Sequence, residues 1–143
     1  NEEEMIDLSK MTFGQWIDLD VYLSNGITKH LDDIVNLIYN IENGGDRFFV
    51  DVMGDITTAI NYRKHVYTQY KNLFNSEAND DDSPKQKANA AKVWRDILIT
   101  VADEDITKFD QILDTNLITV FNFLAFKKEK AYRQYLESQK KRA

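Results

Sequence analysis

Two helix starts are spelled out along this chain, and little in it is equipped to break a helix once begun. Thr12 stands three residues before Gln15, and Ser83 three before Gln86. In each pair the hydroxyl can accept from the backbone NH three residues on, while the glutamine side chain reaches back to the NH of the capping residue. Met11, just ahead of the first box, is spaced to pack on Trp16 and fix the angle at which the chain enters. Pro84 occupies the first helical position after Ser83, where a missing NH costs nothing. It is the only proline, and five glycines complete the set of strong breakers. So few interruptions predict an all-α chain. With 143 residues, 43 % of them hydrophobic, a single helical domain over 1–143 has enough apolar material for one core.

Hydrophobic spacing predicts five to six helices. The first runs from about Phe13 to Ser24, with Trp16, Leu19 and Leu23 on one face and Asp18 and Asp20 displaced from it. Asn25-Gly26 stops it. A second, from about Thr28 to Ile41, carries Leu31, Ile34, Val35 and Ile38 and ends at Asn43-Gly44-Gly45. The run from Phe48 to Met53 reads as a short extended segment. Asp55 is placed to cap a third helix reaching about Phe74, and residues 75–83, acidic and without apolar period, read as a flexible linker. The fourth helix runs to about Ala102, and a short fifth carries Ile106, Phe109, Ile112 and Leu113. The last begins near Thr115 or Asn116, presents Leu117, Val120, Phe121 and Leu124, and then turns basic. At 1.5 Å per residue a helix over 116–140 is about 37 Å long, so its end is expected to project beyond the body. Residues 1–10 offer no apolar period and read as an extended or frayed lead-in. The chain opens on Asn1 rather than Met, as a trimmed or partial chain would.

Charge is polarised along the chain. Residues 1–84 carry sixteen acids against six bases, whereas 127–142 carry Lys127, Lys128, Lys130, Arg133, Lys140, Lys141 and Arg142 against Glu129 and Glu137. Such a chain can associate head to tail as a homo-oligomer or offer its basic end to an acidic partner. Cations near a helix C-terminus also suit the helix dipole without any partner. Tyr132 and Tyr135 interleave aromatics with this charge, as a nucleic-acid surface would, but a sequence pI near 4.9 argues against that class. Capture of another protein explains the same tail, and its candidate contacts are Lys127, Lys128, Lys130, Arg133, Tyr135, Lys140, Lys141 and Arg142.

Nothing in the sequence assembles a reaction centre. There is no cysteine, hence no disulfide and no thiolate. His30 and His65 fall on different helices, and His30 with Asp33 makes two ligands rather than a site. Asp80-Asp81-Asp82 lacks the alternate spacing, central Gly and closing Glu of a calcium loop. Gly44-Gly45 lacks the Lys-Ser/Thr of a phosphate loop. Neither enzyme activity nor a cofactor is expected, and no stretch is long and apolar enough for a membrane span. Trp16 and Trp94, at helical spacing, are expected in the core rather than as binding hot spots.

Residues 12–20, Thr-Phe-Gly-Gln-Trp-Ile-Asp-Leu-Asp, followed by Gly26 and Leu37-Ile38-Tyr39, resemble a group of small tailed-bacteriophage proteins. The group is similar to the baseplate-hub and tail assembly chaperones of T-even-type phages. Trp94-Arg95-Asp96-Ile97-Leu98, Ala102-Asp103 and Phe121-Asn122-Phe123-Leu124 fit more loosely, and the acidic 75–83 segment has no counterpart. The resemblance implies a non-enzymatic protein of virion morphogenesis. Such a protein would hold a tail tape-measure, hub or head component in the host cytoplasm until assembly. The alternatives are a structural component retained in the virion and, further off, a nucleic-acid-associated packaging protein.

Overall fold

Entry into the first helix is fixed before that helix begins. In the computed structural model, which describes residues 4–42, 49–74 and 90–142, Ile6 NH donates to Ile38 O at 2.7 Å. Asp7 caps a 3-10 turn, Leu8–Lys10, through Ser9 NH at 3.0 Å. Leu8 is buried, and Met5 and Ile6 pack against the core. Of the extended or frayed lead-in expected, fraying fails over 4–10: three apolar side chains seat it on the core, and its last part, Leu8–Lys10, is a 3-10 turn rather than extended.

The Thr12 box forms as read. Gln15 NH donates to Thr12 Oγ1 at 3.1 Å and Thr12 NH to Gln15 Oε1 at 3.0 Å, opening helix α1 (Phe13–Ser24). Met11 and Trp16 are both buried, as a staple requires. Asn25 and Gly26 end the helix, Gly26 at φ +116°. Helix α2 (Leu31–Tyr39) is shorter than the expected Thr28–Ile41: turns with Lys29 NH on Gly26 O and His30 NH on Ile27 O delay its start, and Asn40, at φ 55°, closes it early. Asn40 NH bonds Leu37 O and Ile41 NH bonds Asn36 O, the paired closure of a Schellman motif. The anticipated Asn43-Gly44-Gly45 stop lies outside the described residues.

Two expectations about the middle of the chain are corrected. Residues 49–53 are not extended but open the long helix α3 (Phe49–Gln69), and Phe48 lies outside the described residues. Val52, Ile56 and Ala59, at i, i+4 and i+7, are all buried, so the apolar run is the first part of a helical stripe. Asp55 is accordingly interior to α3 rather than its cap. Its carboxylate accepts a hydrogen bond from Tyr39 Oη and ties α3 to α2. A break at Tyr70 divides the remainder into a separate turn, α4 (Lys71–Phe74).

Helix α5 (Ala90–Val101), a 3-10 turn (Ile106–Lys108), α6 (Phe109–Leu113) and α7 (Leu117–Arg142) complete the order. The 75–83 segment and the Ser83–Gln86 box lie outside the described residues. The fold is all-α, with seven α-helices among the described residues where five to six were expected. The break at Tyr70 supplies one of the extra pieces. A single antiparallel bridge, Thr12 with Asn116, is the one β-type pairing described. It clasps the starts of α1 and α7. Phe13 NH donates to Thr115 O at 2.8 Å, Leu117 NH to Met11 O at 2.9 Å, and Asn116 Oδ1 caps Ile118 NH at 2.8 Å.

The core is aromatic. Phe13, Trp16, Tyr67, Tyr70, Phe74, Trp94 and Phe121 form one connected set of rings drawn from α1, α3, α4, α5, α7 and the Tyr70 break. Most pairs meet edge to face, the geometry ring quadrupoles favour, and Trp94 stacks on Phe121. Both tryptophans are core residues, 0 % and 2 % exposed.

Among the described residues one charge is buried in this apolar mass. Asp20, 2 % exposed, accepts from Arg63 Nε at 2.7 Å and Tyr67 Oη at 2.8 Å on Oδ1, and from Trp94 Nε1 at 2.7 Å on Oδ2. Arg63 also reaches Ser24 Oγ at 3.2 Å. A carboxylate enclosed by apolar rings is tolerable only when its lone pairs are filled in this way. The sequence reading put Asp20 off the apolar face, yet it follows Trp16 by four residues and so lies directly over it.

Candidate functional site

Helix α7 leads two lives. Over its first turns, Leu117, Val120 and Phe121 are buried and Leu124 is partly so. Asn122 Oδ1 receives Tyr70 Oη at 2.7 Å, anchoring the helix to the end of α3. From Ala125 to Arg142 every residue is exposed. At 1.5 Å rise this stretch is about 27 Å of exposed helix, touched by α4 near its start.

The boundary is marked by Lys128. Steps of three and four from Phe121 through Leu124 reach it, and its ammonium donates to Asn72 O near the end of α4. Lys128 thereby interacts with a helix carbonyl end, where a cation is favoured. Beside it, Asn72, Leu73, Ala125, Lys128, Glu129 and Tyr132 line an open groove of about 450 Å³. All eight candidate residues are exposed, and Lys128 differs from the other seven in being engaged within the chain by its bond to Asn72 O.

Those seven do not share one face. Continuing the core stripe by four and three from Lys128 gives Tyr132 and Tyr135, so two tyrosines extend the buried seam past the end of the body. They are 61 % and 56 % exposed. Lys130 and Lys141 lie on the opposite side with Phe123 and Phe126, and Lys127 flanks it beyond Phe123. Arg133 and Lys140 flank it beyond Phe126, and Arg142 returns to the tyrosine side. The cations thus ring the helix and the aromatics form two strips on opposite sides. Lys140, Lys141 and Arg142 sit in the last turn.

Sequence reading singled out the cations and Tyr135 but passed over Phe123, Phe126 and Leu136, 47 %, 56 % and 41 % exposed. The signal was present. Phe123 and Phe126 are three apart on the side away from Leu117, Phe121 and Leu124, so a second apolar strip was readable from spacing alone.

The residues weighed for metal or catalysis stand elsewhere. His30 Nδ1 meets Asp33 Oδ2 at 3.0 Å and its ring stacks on Tyr22. His65 is exposed on α3. Among the described residues no group of three or more His, Cys, Asp or Glu is arranged to hold a metal ion, and no helix is long and apolar enough to cross a membrane. Burial pushes the Tyr67 phenol well above its ordinary pKa, reinforced by the Asp20 carboxylate beside it. That perturbation belongs to the core network.

Comparison with protein-family models, with curated proteins and with solved structures found no match for this chain.

Proposed function

We propose that this chain is a non-enzymatic assembly protein of a tailed bacteriophage, acting as a tail or baseplate assembly chaperone. In this reading the free end of α7 holds another phage structural protein, such as a tape-measure, hub or head component, in the host cytoplasm until it is incorporated. Support comes from the phage-like wording of residues 12–20 and, above all, from one observation: the unbroken exposure of α7 from Ala125 onward, with aromatic residues and seven cations on it. An isolated helix of this length is marginal in water, and packing on a partner is the usual source of its stability. Burying one exposed Phe or Tyr contributes about 1.5–3 kcal/mol, so two or three anchors are sufficient for specific capture.

The test is a pull-down from infected cells with the full chain and with a variant carrying Phe126→Ser, Lys130→Glu and Tyr135→Ser. The expected result is enrichment of one phage structural protein by the unaltered chain and its loss with the variant. Equal recovery of that protein by both chains sinks the assignment to α7. Stoichiometric presence in purified virions replaces the chaperone reading with that of a retained structural component.

A further inference from the structure

We propose that copies of this chain associate head to tail, the basic aromatic end of α7 in one copy docking on the acidic turn at 103–114 of the next. The partner is a second copy, and the argument rests on charge and surface chemistry rather than on the phage reading.

The turn has the complementary composition. Asp103, Glu104, Asp105, Asp110 and Asp114 stand there with a single cation, Lys108, and all but Asp105, which is half-buried, are exposed. In their midst is Ile106, 73 % exposed, a large apolar side chain displayed among carboxylates. The end of α7 displays the converse, Tyr132, Tyr135 and Leu136 among lysines and arginines. An apolar centre ringed by charge is the usual anatomy of a specific contact, and here the rings are of opposite sign.

The turn is also rigidly framed. Asp103 and Glu104 both take left-handed backbone conformations, at φ 56° and 64°. Asp103 NH bonds Thr100 O at 3.1 Å and Glu104 NH bonds Ile99 O at 2.9 Å, a Schellman closure made without glycine. Asp105 is held by Thr107 NH and Oγ1 at 3.0 and 2.6 Å. The acids are presented on a fixed scaffold, which reduces the ordering entropy lost on docking.

Intramolecular pairing is ruled out by length. The turn ends three residues before the start of α7, and the basic end is the far half of the same 26-residue helix, so the two surfaces are separated by a rigid rod. Pairing of two tails is opposed by seven cations against two acids on each. The two docking surfaces differ, so the contact is heterologous and generates rings or open chains rather than a closed twofold dimer.

Sedimentation velocity on the purified full chain tests this without any partner, so its outcome is independent of the capture experiment. At about 0.1 M salt the mass should rise above 16.7 kDa with concentration. At about 1 M salt, where the Debye length shrinks from ~10 to ~3 Å, association should weaken by about tenfold or more. A tail variant (Lys130→Glu, Arg133→Glu, Lys141→Glu) and a turn variant (Glu104→Lys, Asp110→Lys, Asp114→Lys) should each be monomeric. Mixed one to one they should associate again, because each supplies the sign the other lacks, and a chain carrying both sets should recover self-association. The proposal is overturned if the unaltered chain is monomeric at every concentration and salt. It is equally overturned by assembly that survives in either variant, or by a mixture that stays monomeric.

Discussion

Replacing Asp20 by Asn tests the buried charge directly, because it keeps the shape and removes only the charge and one acceptor. The amide oxygen can retain the two bonds now made to Oδ1, from Arg63 Nε and Tyr67 Oη. The amide nitrogen then faces Trp94 Nε1, donor against donor, across the present 2.7 Å. Trp94 is 2 % exposed and has no route to water, so its stranded NH costs about 1–3 kcal/mol. The bonds from Arg63 and Tyr67 lose their anionic acceptor, a further ~1 kcal/mol. Arg63 keeps 27 % of its side chain in solvent, which holds the total below the figure for a fully buried pair. The expected loss is about 2–4 kcal/mol, a large share of the ~5–15 kcal/mol available to a domain. Urea unfolding followed by tryptophan fluorescence should show the midpoint fall by about 1–2 M with an unchanged slope. A double-mutant cycle with Trp94→Phe should return a coupling above about 0.5 kcal/mol. A loss under about 1 kcal/mol, with no coupling, would refute the view that Asp20 is ionised and bonded to all three donors.

Three further outcomes follow from the same geometry. The two tryptophans should respond unequally: Trp16 Nε1 is buried with no hydrogen-bond partner, whereas Trp94 Nε1 serves Asp20. Trp94→Phe should therefore cost about 1–2 kcal/mol more than Trp16→Phe in the same urea assay, and equal losses would contradict it. Gly54 has nothing within 4 Å of an added Cβ and lies within α3, so Gly54→Ala should stabilise by about 0.5–1 kcal/mol. At Gly14 an added Cβ meets Leu113 O at 3.2 Å, and Gly14→Val should instead destabilise by about 1–3 kcal/mol, readable as opposite shifts in thermal midpoint. Finally, the folded chain holds the Tyr67 proton after the unfolded chain has released it above its ordinary pKa of 10. The stability this contributes is whole below pH 10 and falls above it, by up to ~1.4 kcal/mol per pH unit. Tyr67→Phe should flatten the slope of urea midpoint against pH between about 10 and 11.5, and an unchanged slope would place the alkaline loss elsewhere.

Helix class and most of the element order were legible because they rest on local rules. The Thr12–Gln15 box, the Asn25-Gly26 stop and the Leu117–Leu124 stripe each need only a few neighbouring residues. What escaped depended on residues far apart in sequence. Phe49 to Met53 read as an isolated apolar run until Ile56 and Ala59 were seen to continue it along α3. Asp55 resembled a cap because its true partner, Tyr39, lies on another helix. Asp20 is the sharpest instance. Its position over Trp16 was readable, but its donors at 63, 67 and 94 come from two other helices, and only the fold brings them together. At the exposed helix end, charge was plain from composition. The role of Lys128 was not, because Asn72 O becomes a partner only when α4 packs alongside.

The clasp between Thr12 and Asn116 has a mechanical consequence. It joins the roots of α1 and α7, while α7 beyond the groove it forms with α4 stands exposed to its end. Helix α7 is about 39 Å long and is held at its root by residues 11–13 and 115–117 and again by the Tyr70–Asn122 and Lys128–Asn72 bonds, so the lever is the ~21 Å beyond Lys128. A bend of about 10° at Lys128 displaces the tip by about 4 Å, most of one helical turn. The hydrogen bonds around Met11, the close seat of Gly14 on Leu113 and the Tyr70–Asn122 bond accordingly set where Tyr135 and the terminal cations point. Changes that loosen these inner contacts would mis-aim the far end while leaving every residue on it intact.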